Sequence, residues 1–181
     1  IVYVSFDNRK RDDFKPYVLK STDKGKTWTS IVSNLPGDET VHTLEQDFEV
    51  SSLLFAGTEF GCYFTLDGGK EWMQLKSGIP AVAVRDMVIQ EQKHDLVLPT
   101  YGRGLYIMDD YTPLREMAID KTILDKEAHI FPVTDALMYI QTGGKYGQGS
   151  TFYKAENPEF GATFTYFLKE VPSTRVCMVP L

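Results

Sequence analysis

Between residues 41 and 75 the apolar residues fall into four short runs, Val41 to Gln46, Leu53 to Thr58, Cys62 to Leu66 and Glu71 to Leu75. Turn-forming residues separate them: Asp47 to Ser51, Glu59-Phe60-Gly61 and Asp67 to Lys70. Short runs rich in β-branched and aromatic residues, bounded by Gly and Asp, predict four strands in an up-and-down order. The same grammar gives strands at Ile1 to Phe6, Tyr17 to Ser21 and Thr27 to Val32, with a long polar insertion, Asp7 to Pro16, in place of a short turn. It gives three more at Arg85 to Gln90, Leu96 to Thr100 and Leu105 to Asp109. No segment from 1 to 110 holds a 3.6-residue period for three turns, which excludes a helical bundle there. Pro113 and Leu114-Arg115-Glu116-Met117 predict a break from the pattern in one helical turn. Farther on, Gln141 to Thr151 reads as a polar, Gly-rich loop and Ala162 to Leu168 as a strand.

These runs are copies of one unit. Ser21-Thr22-Asp23-Lys24-Gly25-Lys26-Thr27-Trp28 matches Thr65-Leu66-Asp67-Gly68-Gly69-Lys70-Glu71-Trp72 at a constant spacing of 44 residues. Leu105 to Asp110 matches Cys62 to Asp67 at a spacing of 43, without the Trp. A period of this size suits one four-stranded propeller blade. The expected fold is therefore all-β, a partial β-propeller of about two and a half four-stranded blades.

The shared motif, Ser/Thr-x-Asp-x-Gly-x-Thr-Trp, has a structural logic. Its Asp can accept backbone N–H groups across a tight turn, and the hydroxyl at its first position can add another bond. Its Gly takes a conformation closed to other residues, and its Trp covers the hairpin and buries a large apolar area. Ser21, Asp23, Gly25, Thr27 and Trp28, with Thr65, Asp67, Gly69 and Trp72, are thus read as structural.

Composition narrows the function. The chain has 181 residues and a net charge of −6, and it lacks a basic stripe, so gripping a nucleic-acid backbone is excluded. It holds no apolar run long enough to cross a membrane. Two cysteines, Cys62 and Cys177, form neither a metal spacing nor a disulfide framework. His42, His94 and His129 are too scattered to suggest a metal, so no metal or cofactor is expected. Gly143 to Ser150 has its Lys too early for a phosphate-binding loop and no strand-to-helix context. Ile1 already lies in a strand, with no targeting segment ahead of it, and the chain reads as a piece of a longer protein.

The repeated motif resembles the Asp-box (BNR) β-propellers, a group that includes sialidases, xyloglucan-cleaving glycoside hydrolases and the sortilin ectodomain. The chain is most similar to large bacterial sortilin-like proteins, often labelled glycosyl hydrolases. Asp12-Asp13-Phe14-Lys15-Pro16-Tyr17, Gly57-Thr58-Glu59-Phe60-Gly61, Thr100-Tyr101-Gly102-Arg103-Gly104 and Met108 to Leu114 carry the resemblance, and Glu156 to Ala162 resembles the entry to a following β-sandwich. It spans roughly residues 1 to 170 and fades at 171–181. It implies propeller blades over 1–120, a linker over 121–155 and the start of a sandwich over 156–181. It also implies an extracellular or periplasmic location and the remaining blades of a parent protein as partners.

In a four-stranded blade the turns between strands two and three, and those leading into the next blade, share one face. Asp7 to Pro16, Glu59-Phe60-Gly61 and Tyr101-Gly102-Arg103 belong there, with the linkers Leu35 to Thr40 and Gly78 to Val84. Arg103, freed by flanking glycines, suits an anionic sugar or peptide; the alternative is a bridge to Glu59. Tyr101 and Phe60 are either platforms for sugar rings or fillers between blades. Asp12, Asp13 and Glu59 are candidates for one carboxylate of a glycoside-hydrolysis pair, against a solvated loop paired with Arg9, Lys10, Arg11 and Lys15. The three convergent arginines of a sialidase are not present. The leading expectation is a secreted propeller binding a peptide or glycan. The next is a xyloglucanase-like hydrolase whose carboxylates lie partly outside this chain, and the third is a structural scaffold.

Overall fold

A computed structural model describes residues 1–136, 138 and 160–170 and folds the repeated runs into three antiparallel sheets. Sheet 1 holds β1 (Val2–Ser5), β2 (Val18–Ser21) and β3 (Thr29–Ser30) in that order. Sheet 2 holds β4 (Val41–Gln46), β5 (Leu54–Thr58), β6 (Gly61–Thr65) and β7 (Met73–Gln74). Sheet 3 holds β8 (Val88–Gln90), β9 (Asp95–Pro99) and β10 (Leu105–Met108). The break after β10 is longer than one turn: α1 spans Thr112–Ile119, with Pro113 in its first turn. The described residues are mostly β, with this one α-helix.

The pleat decides how the sheets meet. Paired residues share a face, so Leu44, Leu54, Ala56 and Tyr63 form one face of sheet 2, and Glu45, Phe55, Cys62, Phe64 and Met73 the other. The first face packs with Tyr3 and Val18 of sheet 1, and with Ile31, Leu35 and Trp72. The second packs with Ile89, Leu96, Leu98, Tyr106 and Met108 of sheet 3, and with Tyr111, Leu114 and Ala118 of the α1 region. Sheet 2 is therefore covered on both sides. Gly57 permits the second contact, since a Cβ there would lie 2.7 Å from Thr43 Cγ2 and 2.8 Å from the Val84 carbonyl oxygen.

The two turns of the repeated Ser/Thr-x-Asp-x-Gly motif have the expected internal bonds. The Asp23 carboxylate accepts from Ser21 Oγ at 2.9 Å and from the amide and hydroxyl of Thr27 at 2.8 and 2.6 Å. Asp67 accepts from Thr65 Oγ1 at 2.8 Å and from the amides of Lys70 and Glu71 at 2.9 and 3.0 Å. The Thr27 hydroxyl is the largest influence on Asp23, whose carboxyl is held down at about 2. Asp67→Ala removes the acceptor of both amides and is expected to cost about 1 to 3 kcal/mol, checked by denaturant unfolding.

The tryptophans part company. Trp72 is only 4% exposed and donates Nε1–H to the Ile31 carbonyl at 2.7 Å. Asn34 clasps its backbone, donating to the Trp72 carbonyl and accepting from its amide at 2.9 and 2.7 Å. Trp28, expected to be equally covered, is 40% exposed and turns its N–H onto its own loop at Gly25. The cover over Trp72 comes from the end of sheet 1, and no described residue gives Trp28 the same clasp.

A buried ion pair fastens α1 to sheet 2. Arg115 places Nε and Nη2 on the Asp47 carboxylate at 3.0 and 2.7 Å, and Tyr111 Oη donates to it at 2.8 Å. Burial pushes the Asp47 carboxyl up, but Arg115, the Val50 and Glu49 amides and Tyr111 outweigh it and hold it below the usual range. Arg115 also reaches Glu49 at 2.8 Å and lies over the Phe48 ring.

Ile1–Leu124 forms one compact unit and Asp125–Leu181 a second. In the second, β11 (Ala128–Ile130) pairs antiparallel with β12 (Tyr166–Leu168). The stretch expected as a linker thus begins with a 3-10 turn at Lys121–Asp125 and contributes a strand. Gly143 to Ser150 and 171–181 lie outside the described residues.

Candidate ligand-binding face

Equivalent backbone bonds pin the turns expected to share a face. The Glu59 amide donates to the Thr40 carbonyl at 3.1 Å, and the Tyr101 amide to the Ala83 carbonyl at 2.9 Å. Each ties a two-to-three turn to the segment entering its own sheet. Phe14 joins through its carbonyl, which accepts from Thr40 Oγ1 at 3.5 Å. The Val84 amide donates to the Thr58 carbonyl at 2.9 Å, so segments from the Asp7 to Pro16 insertion, from sheet 2 and from the entry to sheet 3 are brought together.

At their meeting point Glu59 is the hub. Its Oε2 lies 2.8 Å from His42 Nε2, 3.4 Å from Arg9 Nη1 and 3.7 Å from Arg85 Nη2. On the other side of the imidazole, Nδ1 lies 3.2 Å from Arg9 Nη2 and 3.4 Å from Arg85 Nη1. A carboxylate only accepts and a guanidinium only donates, which places the single imidazole proton on Nε2. Burial, reinforced by the charges of Arg85 and Arg9, outweighs the Glu59 hydrogen bond and pushes the His42 pKa down. The imidazole is thus a neutral spacer between two guanidiniums. With Glu59 supplying one negative charge, the cluster carries a net charge of about +1 in an acidic protein.

A lowered His pKa gives a signed prediction. His42 binds its proton less readily folded than unfolded, so its stabilising contribution is complete above about pH 6.5. It is lost as pH falls from there through the lower folded pKa. Melting temperatures of the wild type and His42→Gln should converge with acidification over that window, measured by thermal scans at stepped pH.

The expected site residues fall into distinct places. Arg103 is exposed and makes no hydrogen bond or ion pair among the described residues; the alternative bridge to Glu59 is not made, and Glu59 Oε2 instead meets Arg9, His42 and Arg85. Tyr101 is 72% exposed, with the Arg85 guanidinium 5.5 Å from its ring centroid, and Phe60 is exposed as well. Neither fills a gap between sheets. Asp12 caps a short 3-10 turn in a left-handed conformation, φ 61°, with an exposed side chain. Asp13 accepts from Tyr17 Oη at 2.6 Å and from Asn8 at 3.3 Å, and these bonds, led by Tyr17, lower its pKa. A carboxyl lowered in this way is a poor general acid.

Sequence reading named Arg9 only as a charge pairing within the insertion and His42 only as too scattered for a metal, and it gave the Arg85 side chain no role. One signal was present: His42 and Arg85 are 43 residues apart, the repeat spacing itself. Among the described residues no three His, Cys, Asp or Glu side chains are grouped to hold a metal ion, and no helix is long and apolar enough to cross a membrane. Compared with protein-family models, curated proteins and solved structures, the chain has no match.

Proposed function

We propose that the chain is the blade-bearing part of an Asp-box propeller protein of the sortilin-like kind, that it acts outside the cytoplasm, and that its two-to-three face binds an anionic peptide or glycan. One observation carries the reading: two half-exposed arginines, Arg9 and Arg85, converge around one imidazole and one carboxylate beside the exposed ring of Tyr101. Guanidinium forks suit a carboxylate, and an aromatic face suits a sugar ring or an apolar side chain. Arg103, which makes no hydrogen bond or ion pair among the described residues, offers a further donor on the same turn as Tyr101.

Titration calorimetry with matched ligands tests this reading: peptides with free or amidated C-termini, and oligosaccharides with or without uronic acids. Binding is expected only with the carboxylate-bearing member of a pair. Arg103→Ala should weaken that binding by about 1.5 to 3 kcal/mol with little change in melting temperature, and Arg103→Lys should restore it only in part. Equal binding of neutral and anionic ligands overturns the reading.

A glycoside hydrolase is the second reading, favoured by one pair. Burial pushes the Glu45 carboxyl above its usual range, and the charge of Asp86 adds to the shift. A carboxyl raised by burial suits the general-acid role that glycoside cleavage requires. Loss of glycosidase activity in both Glu45→Gln and Asp86→Asn would favour it over binding alone.

A further inference from the structure

The two ring nitrogens of His42 are held unequally. Nε2–H donates to Glu59 Oε2 at 2.8 Å, a short bond. Nδ1 has no donor so close. Arg85 Nη1 stands 3.4 Å away, beyond the usual hydrogen-bond length. Arg9 Nη2 lies 3.2 Å from Nδ1 and 3.4 Å from Nε2. An atom nearly equidistant from both nitrogens stands over the ring, because in the ring plane it would overlap Cε1. The Nδ1 lone pair is therefore only weakly filled, and it remains a place for a second proton.

Burial and charge keep that proton off. The imidazole is 8% exposed. Among the described residues three charged groups face it: Arg9 from the 3-10 turn Arg9–Arg11, Arg85 from the segment entering sheet 3, and Glu59 from the turn between β5 and β6. With His42 neutral the cluster carries about +1, and with it protonated about +2. A bound carboxylate returns the protonated cluster to about +1 and so removes the electrostatic part of the obstacle. Arg9 and Arg85 are half-exposed and hold Glu59 only at 3.4 and 3.7 Å, so both can turn to a ligand. A carboxylate gripped by the pair lies on the Nδ1 side of the ring, where an Nδ1–H would donate to it.

We propose that His42 is a binding residue of this site, and that a carboxylate ligand enters together with one proton, which settles on Nδ1 and is donated to the ligand as a hydrogen bond. The proposal rests on the reading of this face as anion-binding and adds the ligand-contacting imidazole and its protonation to it. One carboxylate and one proton leave solution together; the proton comes from a buffer acid, and the only covalent bond formed is Nδ1–H. His42 holds its proton more firmly in the complex than in the free protein. Affinity therefore rises as pH falls through the bound pKa, by at most about tenfold per pH unit, and levels off below the free one.

Titration calorimetry on the intact chain tests this with two probes, tri-galacturonate and a tripeptide with a free C-terminus, from about pH 7.5 to about pH 5, where their carboxylates stay ionised. Association should strengthen by about threefold to tenfold across that range. Near pH 6, about the ordinary His value, the heat should differ between buffers of different ionisation enthalpy, reporting uptake of up to one proton. His42→Gln keeps a donor for Glu59 but cannot gain a proton, so its affinity should not rise with acid and its heat should not depend on the buffer. If that variant binds too weakly to measure, the wild type carries the test by NMR: the imidazole resonance missing from His42→Gln should titrate at higher pH in the saturated protein than in the free one. An affinity flat with pH, or an imidazole titration that the probe leaves unmoved, overturns the proposal and leaves the anion-binding reading standing. An acid gain retained in His42→Gln overturns it by assigning the proton to another group. Failure of both probes to bind at every pH overturns the proposal and the reading together.

Discussion

Arg115→Ala is expected to cost about 3 to 5 kcal/mol of folding free energy, because it strands a buried carboxylate. Asp47 is 3% exposed and Arg115 6%. With the guanidinium gone, Asp47 keeps, among the described residues, the amides of Glu49 and Val50 and the Tyr111 hydroxyl. The comparison that identifies the cause is the double variant Asp47→Leu with Arg115→Met. Replacing a buried pair with apolar residues of similar volume is often neutral or stabilising, so the double variant should recover most of the loss. The acid limb is diagnostic too. The Asp47 pKa is lowered by folding, so its contribution is complete above about pH 3.9 and is lost as pH falls through the lower folded value. That acid-side loss should shrink in Arg115→Ala. Urea unfolding at several pH values measures both effects.

Gly69→Ala and Gly25→Ala should differ sharply although they occupy the same motif position. Both glycines are left-handed, with φ of 96° and 88°, so each substitution carries a backbone cost of about 1 to 2 kcal/mol. At Gly69 a Cβ would also meet Ile31 Cβ at 2.7 Å and the Ile31 carbonyl oxygen at 3.1 Å. That carbonyl is the acceptor of the Trp72 indole, so it cannot withdraw without breaking a buried hydrogen bond. Overpacking adds about 1 to 3 kcal/mol there. At Gly25 the nearest atom is Trp28 Cζ2 at 3.6 Å, an ordinary contact. Parallel thermal and denaturant melts should therefore rank Gly69→Ala well below Gly25→Ala, and equal losses would mean that the sheet 1 to sheet 2 junction yields.

Much of the architecture was written in local order. Strand positions follow from period-two alternation and from Gly and Asp at the breaks, because these act within a few residues of each other. The bonds of the two repeated Asp turns follow for the same reason: Asp23 and Asp67 reach only as far as Thr27 and Glu71. The repeat spacing of 44 and 43 residues locates the equivalent turns, and hence the segments Asp7 to Pro16, Glu59 to Gly61 and Tyr101 to Arg103. Tertiary structure alone decided which charges meet. Arg9 reaches His42 across 33 residues, and Arg115 reaches Asp47 across 68. Neither partnership leaves a periodic trace, because a long side chain outside the repeated strands meets its partner only through backbone folding elsewhere. The unequal fates of Trp28 and Trp72 have the same origin. Matching local motifs build similar turns, but burial depends on what another segment lays over them, and of the two tryptophans Trp72 has Ile31 and Asn34 above it.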